Sequence, residues 1–441
     1  MSLRDAFVIL VVIGSLPLCF LKPWFGVLMW SWLGYMNPHR LTWGMAYSMP
    51  FAQMVGIATL AGLVLGRERL RVIVSREVVL LVALWGWFLI TTIFSTYPDD
   101  AWPFLWKVSK IFLMTFVTII AIQDKQKLKW LLYVIALSIG FYGLKGGIWA
   151  ILTGAKERVL GPPGSFIAGN TEIGLALVMV LPLLIFLRRD ESRPWLRHLL
   201  LGTGVLSVVA ILSTYSRGAL LALIAVLGMI FLKSRTKVLT LAVIIVATPI
   251  VLTMLPQKWF ERMETIDPDK KESSAMQRLD AWTMAFYLAL DNPVFGAGFR
   301  CFTPEMYERY YPEAMVKRVD AHSIVFQVLA EHGFIGIGLY LGLMASTFLS
   351  LRRIIRIARR DPSRRWMLHY AQMLEAGLVG FLVGGLFLSR SYFDLYYHFV
   401  AAAVILQRLG IYQQATADRS SAFSRSSITN KTAANPTLAL S

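Results

Sequence analysis

The chain has 441 residues, 56% of them hydrophobic and 16% charged, with a mean hydropathy of +0.59. No soluble domain of this length carries that composition. Its repeated apolar runs of about 17–25 residues are membrane-span candidates, and they must be helices because the bilayer core has no water for unpaired backbone groups. The net charge of +18 sits mainly in short connectors between those runs, which reads as positive-inside topology and not as nucleic-acid binding.

In chain order the predicted spans are 5–37, 45–65, 77–96, 104–122, 130–152, 167–187, 198–214, 217–232, 238–255, 322–350, 370–389 and 392–410. The predicted class is an all-α polytopic membrane protein of about twelve transmembrane helices. Nine lie in residues 1–255 and three in 322–410, with a long outer loop at 256–321 and a tail at 411–441. Residues 5–37 hold two short apolar runs divided by Lys22-Pro23. They are expected to form one bent crossing, or a crossing plus a re-entrant piece. No cleaved signal is expected, because no small-residue cleavage site precedes Lys22. Basic connectors at Gly66–Arg71, Lys125–Lys129, Arg188–Arg197, Lys233–Lys237 and Arg352–Arg365 mark the cytoplasmic face, and twelve spans put both termini there.

The outer loop holds nine Lys/Arg and eleven Asp/Glu, a balance suited to a translocated segment. Within it, apolar residues at 279, 282, 285, 286 and 290 repeat at helical period and predict an amphipathic helix lying in the interface plane. Asp291-Asn-Pro293-Val-Phe-Gly296-Ala-Gly298 ends that helix in a turn. The aromatic stretch Tyr307–Pro312 reads as an interface belt or as a platform for sugar rings. The tail, rich in Ser, Thr, Ala and Asn, is expected to be disordered in the cytoplasm.

Charged residues at the outer face carry the chemistry. Arg217 lies between two apolar runs on the side that should be poor in arginine. It either snorkels to the membrane edge or meets an anion in a wet cavity. Arg278 opens the loop helix. Both are planar, permanently charged forks suited to phosphate, and with no carboxylate cluster beside them in sequence they suggest a diphosphate site needing no metal. His322 stands where the loop becomes an apolar helix. It is either a capped helix end or a base for a hydroxyl proton. His332, ten residues on, should lie about 15 Å down the same helix and so outside that site. No His-Glu-x-x-His spacing occurs, and the two cysteines, Cys19 and Cys301, are too few for a disulfide framework or thiolate metal site. Further candidates for cavity or substrate contact are Arg158, Arg300, Asn170 and Tyr215, with Glu172 at the same span end. Lys107 and Lys110 read as snorkelling lysines. Glu331, Glu375, Asp394 and His398 read equally as helix–helix hydrogen bonders.

Taken in order, Tyr215-Ser-Arg217-Gly218, Arg278-x3-Trp282, Asn292-Pro293-x2-Gly296-x-Gly298, His322-Ser323 and Glu331-x-Gly333-x2-Gly336 resemble the O-antigen ligase family of the polysaccharide ligase and polymerase superfamily. The resemblance runs from about Gly161 to Gly338. The chain is similar also to O-glycosylation ligases associated with exosortase systems. The resemblance implies a C-type (GT-C) membrane glycosyltransferase of the bacterial inner membrane with a periplasmic site. Its donor would be an undecaprenyl-diphosphate-linked glycan and its acceptor a lipid A-core sugar, with membrane lipids around it and no nucleic-acid partner, cofactor or metal. Ligases commonly carry His-Asn where this chain has His322-Ser323, so the acceptor is less well implied than the donor. A polysaccharide polymerase uses the same chemistry and stands as the near alternative. A twelve-span transporter or flippase is the distant one, and no two-halves repeat supports it.

Overall fold

The computed structural model describes residues 2–66, 74–233, 237, 273–314, 316 and 319–411. The expected span at 238–255, the first part of the outer loop and the tail from residue 412 lie outside the described residues. All regular structure among the described residues is helical. In order come α1 (Leu3–Leu21), α2 (Pro23–Met36), α3 (Phe51–Leu65), α4 (Arg76–Ile93), α5 (Pro98–Ala121), α6 (Lys125–Leu152), α7 (Asn170–Arg189), α8 (Pro194–Leu212) and α9 (Arg217–Lys233). They are followed by α10 (Ser273–Asp291), α11 (Pro304–Tyr310), α12 (Ile324–Arg360), α13 (Arg365–Gly385) and α14 (394–411). Seven of the described helices are long and apolar enough to cross a membrane.

The start of the chain departs from the expected bent crossing. Ser2 and Asp5 cap α1 reciprocally, and the Asp5 carboxylate also accepts from the backbone N–H groups of Gly44 (3.2 Å) and Ala46 (3.3 Å), beyond the end of α2. At the other end, Gly62 of α3 lies so close to the Phe20 carbonyl that a Cβ would come within 2.0 Å of it. α1 and α2 therefore form an antiparallel hairpin, and α3 runs parallel to α1. Pro23 does not bend a helix here. It starts a new one, at a position where its missing N–H costs nothing.

Connectors from distant parts of the chain meet on one face. Arg40 approaches Gly164, and the Val159 N–H donates to the Ser213 carbonyl (3.0 Å). The Thr96 N–H donates to the Ala297 carbonyl (3.0 Å), and the His322 N–H donates to Ser389 Oγ (2.7 Å). The opposite face gathers the basic connectors. There Lys129 faces Asp190 and Glu191, and Lys233 and Arg352 both pair with Glu375, so Glu375 is an ion-pair residue. Ser2 and the start of α1 lie on the face of His322, opposite the basic connectors and the end of α14. This corrects the expectation that both ends share the cytoplasmic side. α14 ends on the basic face, where Arg408 donates to the Ile119 and Ile122 carbonyls.

α7 is the central helix. It is buried on all sides from Ile173 to Leu184, packed among α6, α8, α9 and α13, as expected of a helix that is apolar all round. α12 is not continuous. Gly333 has φ 66° and ψ −169°, which splits it into 324–332 and 334–360. The turn Asn292–Gly298 docks on this break: the Ala297 and Gly298 N–H groups donate to the Ala330 and Glu331 carbonyls (both 2.9 Å), and the Phe334 N–H donates to the Pro293 carbonyl (2.8 Å). A broken helix inside a membrane protein needs such partners for the backbone groups it frees. A Cβ on Gly296 would lie 2.5 Å from the Ala330 carbonyl, and one on Gly333 would lie 2.4 Å from the Val294 carbonyl, so the spaced glycines of both motifs are one contact.

α10 forms where the periodicity placed a helix, but its buried face differs. Ala281, Met284, Ala285, Leu288 and Ala289 are buried, whereas Leu279, Phe286 and Leu290 are exposed. The face of α10 that packs inward combines three alanines with Met284 and Leu288, and Leu279, Phe286 and Leu290 lie on its exposed face. The Tyr307–Pro312 stretch is neither belt nor platform throughout. Tyr307 is fully buried with its hydroxyl donating to the Val319 carbonyl (2.6 Å), and Tyr310 donates to Asp291 (2.7 Å).

Candidate functional site

A cavity of about 820 Å³ opens on the face opposite the basic connectors, a volume in the range of ligand pockets, roughly 300–1,000 Å³. One wall is a single stripe of α5, Asp100, Pro103, Phe104 and Lys107, at helical spacing. Ser165 and Phe166 come from the α6–α7 connector, and Arg300, Phe302, Thr303, Pro304 and Asp320 from the outer segment. Gln327 and Glu331 of α12 and Ser389, Arg390 and Tyr392 of the α13–α14 connector complete it.

Of the seven residues predicted for the site, Arg300 lines this cavity and the other six do not. His322 adjoins it. Its backbone N–H donates to the cavity residue Ser389, and Asp320, two residues earlier, lies on the cavity wall. His322 is half-buried with φ 46°, a left-handed conformation uncommon for a non-glycine residue. Trp282 of α10 fixes this junction, donating to the Ala321 carbonyl (2.7 Å) and stacking on Phe326 at 5.0 Å. Burial lowers the His322 pKa from its ordinary value, and the nearby positive charges of Arg278 and Arg390 push it further down. Asp320 and Glu172 act in the opposite sense. The imidazole is therefore neutral at pH 7, the form that can accept a proton. Arg278 therefore lies near enough for its charge to act on His322.

Arg217 is the first residue of α9 and is half-buried. Its neighbour Gly218 packs on Phe387, two residues before Ser389. Ser216 Oγ caps the helix by accepting the Ala219 N–H (3.2 Å). Tyr215 and Asn170 hold this turn in place and do not face the cavity. The Tyr215 hydroxyl donates to the Ala155 carbonyl (2.5 Å), and the Asn170 amide donates to the Thr214 carbonyl (2.9 Å). Arg158 is exposed beside Tyr215.

Several cavity residues escaped the sequence reading. Arg390 pairs with Glu172 (2.5 Å), and neither Arg390 nor Ser389 belongs to a recognisable motif. The Lys107 ammonium lies over the Phe166 ring at 4.1 Å. The Arg300 guanidinium lies over the Phe104 ring at 4.6 Å. Glu331 faces the cavity with both oxygens engaged, one accepting the Arg300 N–H (3.1 Å) and the other the Tyr392 hydroxyl. The same hydroxyl meets His332 Nε2 (2.8 Å), and His332 Nδ1 meets the Thr91 hydroxyl (2.6 Å), between the Phe88 and Phe299 rings. His332 is buried, as its depth predicted, yet it is wired through Tyr392 to a carboxylate on the cavity wall. Spacing along one helix gave no sign of that link, because Tyr392 arrives from another part of the chain.

Comparison with known families places these residues. The O-antigen ligase family matches residues 202–341, from within α8 to within α12. A family of unknown function matches residues 3–192, which include the α5 stripe and Phe166. No curated protein matches the chain. Arg217, Arg278, Arg300, His322 and Glu331 all fall within the first match. Residues 202–341 thus match the O-antigen ligase family, on the scaffold of a polytopic, helical membrane protein.

Proposed function

We propose that the protein is a glycosyltransferase that moves a polysaccharide from undecaprenyl diphosphate to a sugar hydroxyl of lipid A-core, on the periplasmic face of the inner membrane. The observation that carries this reading is the family match over residues 202–341, the stretch that contains Arg217, Arg278 and His322.

In this mechanism the acceptor hydroxyl attacks the anomeric carbon. Its oxygen forms the new glycosidic bond as the bond from that carbon to the diphosphate oxygen breaks, with inversion. His322 takes the hydroxyl proton, a role typically contributing about 10²–10⁴-fold. Arg217 and Arg278 hold the diphosphate and stabilise the charge that develops on it as undecaprenyl diphosphate departs. The donor is already activated by its diphosphate, so the reaction runs without a metal. The lipid chain reaches the site sideways from the bilayer.

Purified protein incubated with lipid-linked glycan and lipid A-core, in the presence of a chelator, tests this. Transfer of intact chains is the expected result. Lengthening of the donor glycan with no attachment to lipid A-core would replace ligase with polymerase. Loss of transfer on adding chelator would remove the metal-free mechanism.

A further inference from the structure

We propose that Lys107 and Arg300 form an anion clamp in the cavity, taking a carboxylate or phosphate carried on a sugar of the transferred or accepting glycan. The inference rests on the glycosyl-transfer reading above for its biological setting, but not for its binding test.

Lys107 sits nine residues into α5, a helix long and apolar enough to cross a membrane. A cation within a membrane-spanning helix is expensive unless it has an anionic partner or lines water. It lies over Phe166, and Arg300 lies over Phe104; both rings line the same cavity. Neither cation has a carboxylate within 4.0 Å among the described residues. The cavity's other cation, Arg390, is already paired with Glu172, and Glu331 has both oxygens engaged. Asp100 and Asp320 are exposed. The aromatic faces hold the two cations in place without neutralising them.

Arg300 adds a second, independent sign. It is not glycine, yet its φ is 64°, and its N–H is fixed to the Glu331 carboxylate. Strained backbone of this kind persists where the surroundings over-determine it, commonly at ligand clamps. Here the effect is to place the guanidinium on the cavity wall. Phe104 and Lys107 share one face of α5, so the clamp joins the segment of unknown family to the ligase domain.

The test uses full-length protein in lipid nanodiscs, with tetragalacturonate and its neutral methyl ester as probes. Wild type is expected to bind the acid about ten-fold more tightly than the ester, the discrimination expected of one or two charge-assisted hydrogen bonds. Lys107→Gln with Arg300→Gln should abolish that preference. Lys107→Arg with Arg300→Lys, which keeps both charges, should retain it, as should Lys110→Gln, which lies outside the cavity. Equal binding of acid and ester by wild type, or an unchanged preference in the charge-removed variant, overturns the proposal.

Transfer kinetics then locate the anion. A KM rise confined to a phosphorylated acceptor, relative to the same acceptor after phosphate removal, puts it on the acceptor. A rise confined to a uronate-containing donor, relative to its carboxyl-reduced form, puts it on the donor. A fall in kcat with KM unchanged for both substrates overturns the binding role. A wild-type protein that transfers nothing removes the proposed function, and the probe binding then decides the clamp by itself.

Discussion

At the residue scale, the protonation of His322 is the most exposed part of the mechanism. His322→Ala is expected to lower transfer by about 10²–10⁴-fold, measured under single-turnover conditions. Because burial, Arg278 and Arg390 all depress its pKa, the acid limb of the rate profile should fall below the ordinary value near 6.5. Arg390→Gln removes a positive charge and leaves the Glu172 carboxylate without that partner. Both changes favour the imidazolium, so the limb should move to higher pH. A limb that stays in place would mean that His322 is not the titrating base. Each of Arg217→Ala and Arg278→Ala should reduce kcat by roughly 10²–10³-fold if the arginines stabilise developing charge, and normal transfer by both would remove the diphosphate site.

At the element scale, the break in α12 is where sequence motif and architecture coincide. Gly333→Ala puts a Cβ on a residue at φ 66° and within 2.4 Å of the Val294 carbonyl. Backbone strain alone should cost about 1–3 kcal/mol, with the overlap adding to it. Gly338→Ala, where a Cβ would meet nothing within 4 Å, is the matched control. Thermal unfolding in detergent should show a clear loss for the first and almost none for the second. Tyr392→Phe removes the hydroxyl shared by Glu331 and His332, leaving two buried polar groups short of a partner. A cost of about 1–3 kcal/mol is expected, together with a looser Arg300 turn.

At the scale of the whole molecule, the hairpin of α1 and α2 reverses the expected side of the first residues. A cysteine introduced at Ser2, in a background lacking Cys19 and Cys301, should react with a membrane-impermeant maleimide added from the periplasmic side. A cysteine at Arg360, in the basic connector, should react only after the membrane is opened. Labelling of Ser2 only from the cytoplasmic side would return the chain to one bent crossing. The cavity also belongs to this scale. α5, the 165–166 connector, the outer segment, α12 and the 389–392 connector each contribute only a few side chains, and none is a site by itself.

Composition and charge alone determined that the chain crosses a membrane repeatedly as helices and which face carries its basic connectors, because desolvating a peptide group or an arginine is costly wherever it occurs along the chain. The order of short motifs pointed to the family that residues 202–341 match and marked Arg278 and His322, while Arg300, singled out as an outer-face arginine, lines the cavity. The glycines at 296, 298 and 333 were legible as a motif, but not as one contact. Only the tertiary structure decided that α1 and α2 turn back on each other, that Tyr215 and Asn170 brace a turn, and that Lys107, Arg390, Glu331 and Tyr392 share one cavity. Those outcomes depend on which distant segments meet. Periodicity reports the burial of a face, not the partner that buries it, so a lysine facing lipid and a lysine facing a wet cavity read identically until the opposite wall, here Phe166, is in place.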